Sequence, residues 1–385
     1  MTTPAHLQTL PLPDGIRSRT IEGINGLSVH LLEAGYQRPG RPCVLLLHGF
    51  PELAFSWRKT MPALAAAGYH VVAPDQRGYG RTTGWDNAYD GDLAPFRLLN
   101  LVRDVVGLVA AMGIRKLAAV VGHDFGARVA AWCALVRPDM FERLVLMSVP
   151  FTGAPALPFD TSRNRPTSPD AAGSIHRQLA ALAQPRKDYQ LYFGTREANR
   201  DMLESPAGLH AFLRAYYHVK SADNPANDPH PLRTGSAIEM AKLPGYYVMD
   251  LFSRMDETVL RDAPSAAQVA SNTWLTDDEL AVYSQEYART GFQGGLQCYR
   301  CGADPALIAE MQLYSGATID IPSMFIAGIK DWGIYKKPGE FEAMPKVGCT
   351  DMGTRIFLLE NAGHWVQQEQ PHQVNRLLTD FLNTH

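Results

Sequence analysis

Apolar runs in this chain end repeatedly in small groups of glycine, histidine and aspartate, and the order of those groups suggests a single reaction centre. In Gly122-His123-Asp124-Phe125-Gly126 an aspartate has glycines two positions before and two after, between the apolar run Leu117 to Val121 and the helix-like stretch Phe125 to Val136. Glycines so placed permit a cramped strand-to-helix turn that lifts the central side chain to the carboxyl edge of a parallel sheet, where open α/β sheets bind ligands. A carboxylate at that point can attack carbon directly and form an ester, whereas a serine must first lose its proton. The plainer alternative is that Asp124 only caps the helix beginning at Phe125. Two downstream residues weigh against it: Asp331, just past the run Ser323 to Ala327, and His364, in Asn361-Ala362-Gly363-His364-Trp365 after the run Arg355 to Leu359. Nucleophile, acid, histidine is the chain order in which such an elbow recruits its triad. Upstream, His48-Gly49-Phe50-Pro51 closes the run Cys43 to Leu47. The backbone N–H of Phe50 can there join that of Phe125 to receive an oxyanion. His48 and His123 are read as structural, because His364 already occupies the base position and the turn directs His123 away from Asp124.

The elements needed to position these residues follow from the hydrophobic pattern. Asn25-Gly26 between Arg17 to Ile24 and Leu27 to Glu33 predicts a hairpin. The runs Cys43 to Leu47, Tyr69 to Ala73, Leu117 to Val121 and Leu144 to Ser148 read as buried parallel strands, and they alternate with helical spacing over Trp57 to Ala67, Leu98 to Met112 and Phe125 to Val136. Such alternation implies an α/β fold, a mostly parallel sheet flanked by helices. After Val149 it stops. Phe151 to Gly173 is rich in proline, glycine and serine, Tyr189 to about Arg300 reads mostly as helices broken by a second loose stretch, Lys220 to Gly235, and then strands Ser323 to Ala327 and Arg355 to Leu359 and a helix Pro371 to Leu382 resume the first pattern. The expected organisation is a core from residues 1–150 and 318–385, with a mostly helical cap, 151–317, inserted into it.

Composition excludes several classes of function. The 385 residues are 46% hydrophobic and 19% charged, with 36 lysines and arginines against 39 aspartates and glutamates, a net charge of −3. That is too near neutrality to draw nucleic acid or anionic lipid by bulk charge. Apolar runs such as Cys43 to Leu47 fall far short of the ~18 residues of a membrane span, and the first residues show neither a basic start nor an apolar stretch. A soluble, cytoplasmic protein with a small apolar partner, without nucleic acid or membrane, is the expectation; a homo-oligomer stays open. Five scattered cysteines fit reduced thiols better than a disulfide framework. Cys298-Tyr299-Arg300-Cys301 is a lone C-x-x-C without a second ligand pair, read as structural rather than as zinc or redox, so no cofactor and no metal are expected.

From about Arg17 onward the chain resembles the α/β-hydrolase fold family, and specifically its epoxide hydrolases, through His48 to Pro51, Ser56 to Arg58, Asp75 to Gly80, the Gly122 to Gly126 elbow and Gly363-His364-Trp365. Asp188 to Phe193, and Gly291-Phe292 with Leu296 to Arg300, are similar to the segments in which that family carries two ring-opening tyrosines. The resemblance implies that Tyr189 and Tyr299 hold the epoxide oxygen while Asp124 attacks a ring carbon, and that His364, oriented by Asp331, activates water to hydrolyse the ester to a vicinal diol. Two phenols suit the first role, since each remains a neutral donor at pH 7. Trp57, Trp332, Trp365 and Tyr192 are candidates for the pocket wall, with core packing as their alternative, and Tyr246 and Tyr247 are cap or wall residues.

The nearest rival is a haloalkane-type dehalogenase with the same aspartate nucleophile. That family holds its halide with N–H-bearing side chains after the His-Gly pair and after the nucleophile, where this chain has Phe50 and Phe125. A fluoroacetate dehalogenase would carry arginine directly after the aspartate, and Arg128 is read as a helix residue. A serine esterase would need serine at 124. A non-catalytic ligand receptor of the same fold would have no use for all three of nucleophile, acid and base.

Overall fold

The computed structural model describes residues 7–157, 159–160, 165–166 and 171–384. An eight-stranded sheet organises them: β1 (Ile16–Ile24), β2 (Leu27–Ala34), β3 (Cys43–Leu47), β4 (His70–Pro74), β5 (Ala119–His123), β6 (Leu144–Met147), β7 (Ser323–Gly328) and β8 (Ile356–Leu359), in the order β1-β2-β4-β3-β5-β6-β7-β8. β1 and β2 form a hairpin, and β2 joins β4 antiparallel; every other neighbour is parallel. Asn25 and Gly26 turn that hairpin with φ of 50° and 82°, the left-handed pair that a tight two-residue loop requires.

The central strands are apolar throughout because helices cover both faces, and their side chains alternate between two cores. Leu45, Leu47, Val120, Leu144 and Phe325 face α2 (Leu98–Ala111) and α3 (Phe125–Val136). Val44, Leu46, Val121, Val145 and Ile326 face α1 (Met61–Ala66) and the closing C-terminal helix, through Met61, Leu64, Val374 and Leu378. Each such buried side chain contributes about 1.5–3 kcal/mol.

One expected helix is shorter than its pattern. Trp57 to Ala67 divides into a 3₁₀ turn, Ala54–Trp57, and α1, which begins at Met61. Pro62 gives the reason: it cannot donate to a carbonyl four residues back and its ring clashes there, so a helix can start at this point but not run through it.

Between β6 and β7 no described residue joins the eight-stranded sheet. This stretch carries α4 (Tyr189–Phe193), α5 (Leu209–Lys220), α6 (Asp277–Thr290) and α7 (Gln293–Ala303), and α8 (Pro371–Asn383) closes the chain after β8. A short antiparallel pair, Arg186–Asp188 with Val248–Asp250, adds strands that the helical pattern does not predict. Of the loose stretch Phe151 to Gly173, residues 158, 161–164 and 167–170 lie outside the described residues. The second loose stretch is pinned: Asn227 is buried and donates to the carbonyls of Val219 (2.9 Å) and Ser221 (2.8 Å) while accepting from the Tyr246 hydroxyl (2.9 Å). A third apolar cluster joins these helices to the sheet edge, packing Tyr217, Tyr283, Tyr287 and Phe292 with Phe50, Phe55 and Trp365. Among the described residues no helix is long and apolar enough to cross a membrane.

Candidate active site

β5 delivers His123 to the sheet edge, and the chain then turns at Asp124, whose φ of 51° and ψ of −118° precede α3. A non-glycine residue with positive φ is uncommon and marks a place where strain is held by its surroundings. The flanking glycines make the turn possible: a Cβ on Gly126 would strike the carbonyl oxygen of Leu47, and one on Gly122 would strike the Gly126 backbone. Asp124 makes no side-chain cap to α3. Its Oδ1 instead accepts the Phe50 N–H at 3.1 Å, and its Oδ2 lies 3.3 Å from Nε2 of His364. Phe125 opens α3, where the first N–H groups have no acceptor within the helix.

His364 is fixed by the loop after β8. Its N–H donates to the Lys220 carbonyl at 2.9 Å, and its own carbonyl accepts from His123 Nε2 (2.7 Å) and Ser148 Oγ (3.0 Å). Its Nδ1 lies 3.2 and 3.3 Å from the two Asp331 oxygens, which assigns the Nδ1 proton to that carboxylate. Nε2 makes no hydrogen bond; its 3.3 Å approach to Asp124 lacks hydrogen-bond alignment. Asp331 is held in turn by the Gly333 N–H, 2.7 Å from Oδ1. Burial works to raise the Asp124 carboxyl, but the adjoining His364 imidazole, with Lys220 and His123 behind it, holds it well below the usual carboxylate range. Asp331 is likewise held down, burial being outweighed by His364 and the Gly333 N–H. Both are therefore anions at neutral pH.

Glu52 lies beneath the elbow, unremarked by its sequence context. One of its oxygens takes His123 Nδ1 (2.5 Å) and the Gly49 N–H (3.0 Å), the other Gln367 (2.9 Å) and Gln368 (3.2 Å) side-chain amides. Because His123 faces a carboxylate on one nitrogen and a carbonyl on the other, both nitrogens must donate. Burial alone would lower His123, and the Glu52 charge reverses this and raises it. His123 is thus a buried imidazolium linking Glu52 to the His364 backbone, a structural role. His48 is neutral: Nε2 accepts the Gln76 N–H (3.1 Å) and Nδ1 donates to the Gly49 carbonyl (2.9 Å), with burial lowering its pKa.

Tyr189 begins α4, its entry fixed by Asp188, which accepts the Gln190 N–H at 2.8 Å. Tyr299 comes from α7. Their ring centroids are 6.1 Å apart, and Tyr299 packs edge-on against Phe50 (5.7 Å) and Phe193 (5.1 Å) and also contacts Phe125 (6.4 Å). Burial raises both phenols far above 10, and the Asp124 charge adds to it, so both keep their protons. Trp365 lies 4.7 Å from the His364 ring and donates to the Tyr217 carbonyl at 2.8 Å, while Trp332 follows Asp331 and packs 4.9 Å from His230.

Two expected wall residues are elsewhere. Trp57 is fully buried in the core on the α1 side of the sheet, because the 3₁₀ turn ending at Trp57 directs its indole inward. Tyr192 directs its hydroxyl to Asp201, 3.1 Å away, with Lys187 over its ring, and packs inside the cap. The sequence reading also passed over Lys220, which ends α5 with its ammonium 5.1–5.5 Å from the rings of Tyr247, Tyr216 and Trp365. Among the described residues no three His, Cys, Asp or Glu side chains group as a metal site, and Cys298 and Cys301 are free, buried thiols.

Residues 42–185 match the α/β-hydrolase fold family. Over 381 residues the chain is 33% identical to epoxide hydrolase B of Mycobacterium tuberculosis, covering 93% of this chain and 96% of that one. It is 32% identical to epoxide hydrolase A of the same organism, at 96% and 98% coverage. Among solved structures, an epoxide hydrolase from an endophytic Streptomyces superposes with a TM-score of 0.74 at 30% identity, covering 96% of both chains. Potato (Solanum tuberosum) epoxide hydrolase I superposes with a TM-score of 0.71 at 30% identity, covering 95% of this chain and 99% of that one. With its sheet order, its elbow aspartate and these full-length similarities, the chain belongs to the epoxide hydrolases of the α/β-hydrolase fold.

Proposed function

We propose that the protein converts an epoxide to a vicinal diol through an ester on Asp124. The observation that carries this reading is one carboxylate, Asp124, held by the Phe50 N–H and beside the His364 imidazole, whose charge acts on two protonated tyrosines, buried Tyr189 and partly buried Tyr299. Asp124 attacks one ring carbon. The carbon–oxygen bond breaks as Tyr189 and Tyr299 donate to the departing oxygen, which takes its proton from one of the two phenols and becomes the first hydroxyl. His364 Nε2 then removes a proton from water, which adds to the Asp124 carbonyl carbon; Asp331 stabilises the imidazolium. The oxyanion formed on Asp124 falls to the N–H groups of Phe50 and Phe125. Its collapse expels the second diol oxygen, protonated by His364, and the remaining proton of the attacking water leaves Asp124, which restores the carboxylate and returns the tyrosine to its neutral form.

A single turnover in oxygen-18 water tests the covalent route. The label is expected in the Asp124 peptide and absent from the first diol released. Label in that diol with an unlabelled Asp124 would mean direct attack by water on the ring and would remove the ester from the mechanism. Removing the base separates the two steps: His364→Gln should leave an adduct heavier by one epoxide on intact-mass analysis.

A further inference from the structure

The mechanism leaves three cations beside the reacting carboxylates unused: Lys220, Lys336 and Arg128. Lys220 faces Asp124 and Asp331 electrostatically, and both favour its charge, so it belongs with the triad. The other two do not. Lys336 comes from the loop that carries Asp331, and its ammonium lies 4.2 Å from the ring centroid of Tyr189 and 5.8 Å from that of Tyr247. Arg128 lies in the first turn of α3, four residues after Asp124, and its field acts on both Tyr189 and Lys336. Among the described residues neither cation has a carboxylate within 4.0 Å, whereas exposed Lys337, the next residue, pairs with Glu340 at 3.0 Å. The anion whose charge acts on Lys336 is Asp188, and one of its oxygens is already taken by the Gln190 N–H. Asp124 and Asp188 both act on Tyr189 from a distance, but among the described residues neither Lys336 nor Arg128 is paired with a carboxylate.

A half-buried ammonium without a counter-ion is costly to retain unless something else uses it. We propose that Lys336, supported by Arg128, forms a carboxylate-binding subsite beside Tyr189, so that the preferred substrates are epoxides carrying a carboxylate a few bonds from the ring. The inference rests on the epoxide hydrolase reading and specifies its substrate class. An anion held by Lys336 over the Tyr189 ring stays on the side of the pocket where the ring oxygen is received, away from Asp124, whose own charge would repel it.

The test compares trans-4-phenyl-3,4-epoxybutanoate with its primary amide, a near-isosteric pair differing in charge, with styrene oxide as a plain epoxide. Wild-type enzyme should favour the acid in kcat/KM by about tenfold or more, the scale of one charge-assisted contact. Lys336→Met should erase that preference, mainly through KM for the acid, and Lys337→Met should retain it. Burial lowers Lys336 to about 8, against Asp188, with Arg128, Lys337 and Lys220 adding to the depression and the Tyr189 and Tyr247 rings packed against it. KM for the acid should accordingly climb above pH 8, and KM for the amide should show no matching rise. Equal use of acid and amide, or an unchanged ratio in Lys336→Met, would overturn the subsite while turnover of styrene oxide upheld the function. No turnover of any of the three would overturn both.

Discussion

A phenol that donates to a ring oxygen does most when that oxygen carries charge, and in the proposed reaction the charge exists only while Asp124 opens the ring. Loss of either donor should therefore fall on alkylation and spare hydrolysis of the ester. Removing one donor from a developing oxyanion costs about 2.7–4 kcal/mol, but Tyr189 and Tyr299 are neighbours with centroids 6.1 Å apart, and each can partly cover for the other. We expect Tyr189→Phe and Tyr299→Phe each to slow alkylation by roughly one to two decades and the double variant to be nearly inactive on epoxides. Pre-steady-state kinetics would measure this, and wild-type alkylation in the double variant would end the assignment of both residues. What makes these residues legible in sequence differs from one to the next. Asp124, Asp331 and His364 each follow an apolar strand, so pattern and motif agree on them. Glu52, Lys220 and Lys336 carry no such mark. Glu52 acquires its role from His123, 71 positions away, and Lys336 from Tyr189, neither of which is visible in local spacing.

At the scale of elements, one residue ties three strands at the antiparallel edge of the sheet. Glu33 on β2 accepts from Arg17 (2.8 Å) and Arg19 (2.7 and 2.9 Å) on β1 and meets His70 Nε2 on β4 at 3.1 Å. Burial pushes its carboxyl up, but His70 and the two arginines outweigh that and lower it from 4.5 to about 2. A carboxyl depressed by folding contributes stability above its unfolded value and loses it as the pH falls through the folded one, here from 4.5 to about 2. Because the arginines are partly exposed, the contribution is discounted to about 1–2 kcal/mol. Glu33→Gln should lower the unfolding free energy obtained from urea titration at pH 7 by that amount, and the gap to wild type should close as the pH falls below 4.5. A gap that stayed constant down to pH 3 would show that Glu33 acts through packing and not through its charge. The hairpin and the parallel strands were readable because their side chains meet one environment along each run. The break before α1 was not, since helical spacing continues through Pro62 and only the backbone records the interruption.

Across the whole molecule the two proposed chemical steps divide between layers: the tyrosines stand on helices between β6 and β7, while nucleophile, base and acid stand on loops of the sheet. Alkylation thus draws its reacting side chains from both layers, and hydrolysis draws its own from one, although the Lys220 carbonyl also holds the His364 backbone. Register is kept by buried polar contacts. Arg58, just after the 3₁₀ turn that follows β3, reaches Glu279 on α6 (2.8 Å), Gln368 before α8 (2.8 Å) and the Trp274 carbonyl (3.4 Å). Ser56 meets Tyr283 at 2.8 Å, and the Tyr217 hydroxyl donates to the Pro51 carbonyl at 2.9 Å. Breaking a fully buried ion pair costs about 3–5 kcal/mol. Glu279 retains some exposure, so Arg58→Met should cost about 1–3 kcal/mol, mostly by loosening α6 and, through it, α7, which carries Tyr299. Asp331 and His364 are held directly by Gly333, Lys220, His123 and Ser148, and Arg58 reaches them only at three removes, through Gln368, Glu52 and His123. Arg58→Met should therefore slow alkylation at least tenfold, the loss expected from one misplaced oxyanion donor, while the ester formed by the variant hydrolyses at close to the wild-type rate. Single-turnover mixing that follows ester formation and decay separately would measure both rates. An equal slowing of the two steps would mean that the cap and the triad are positioned together, and the division between layers would fail.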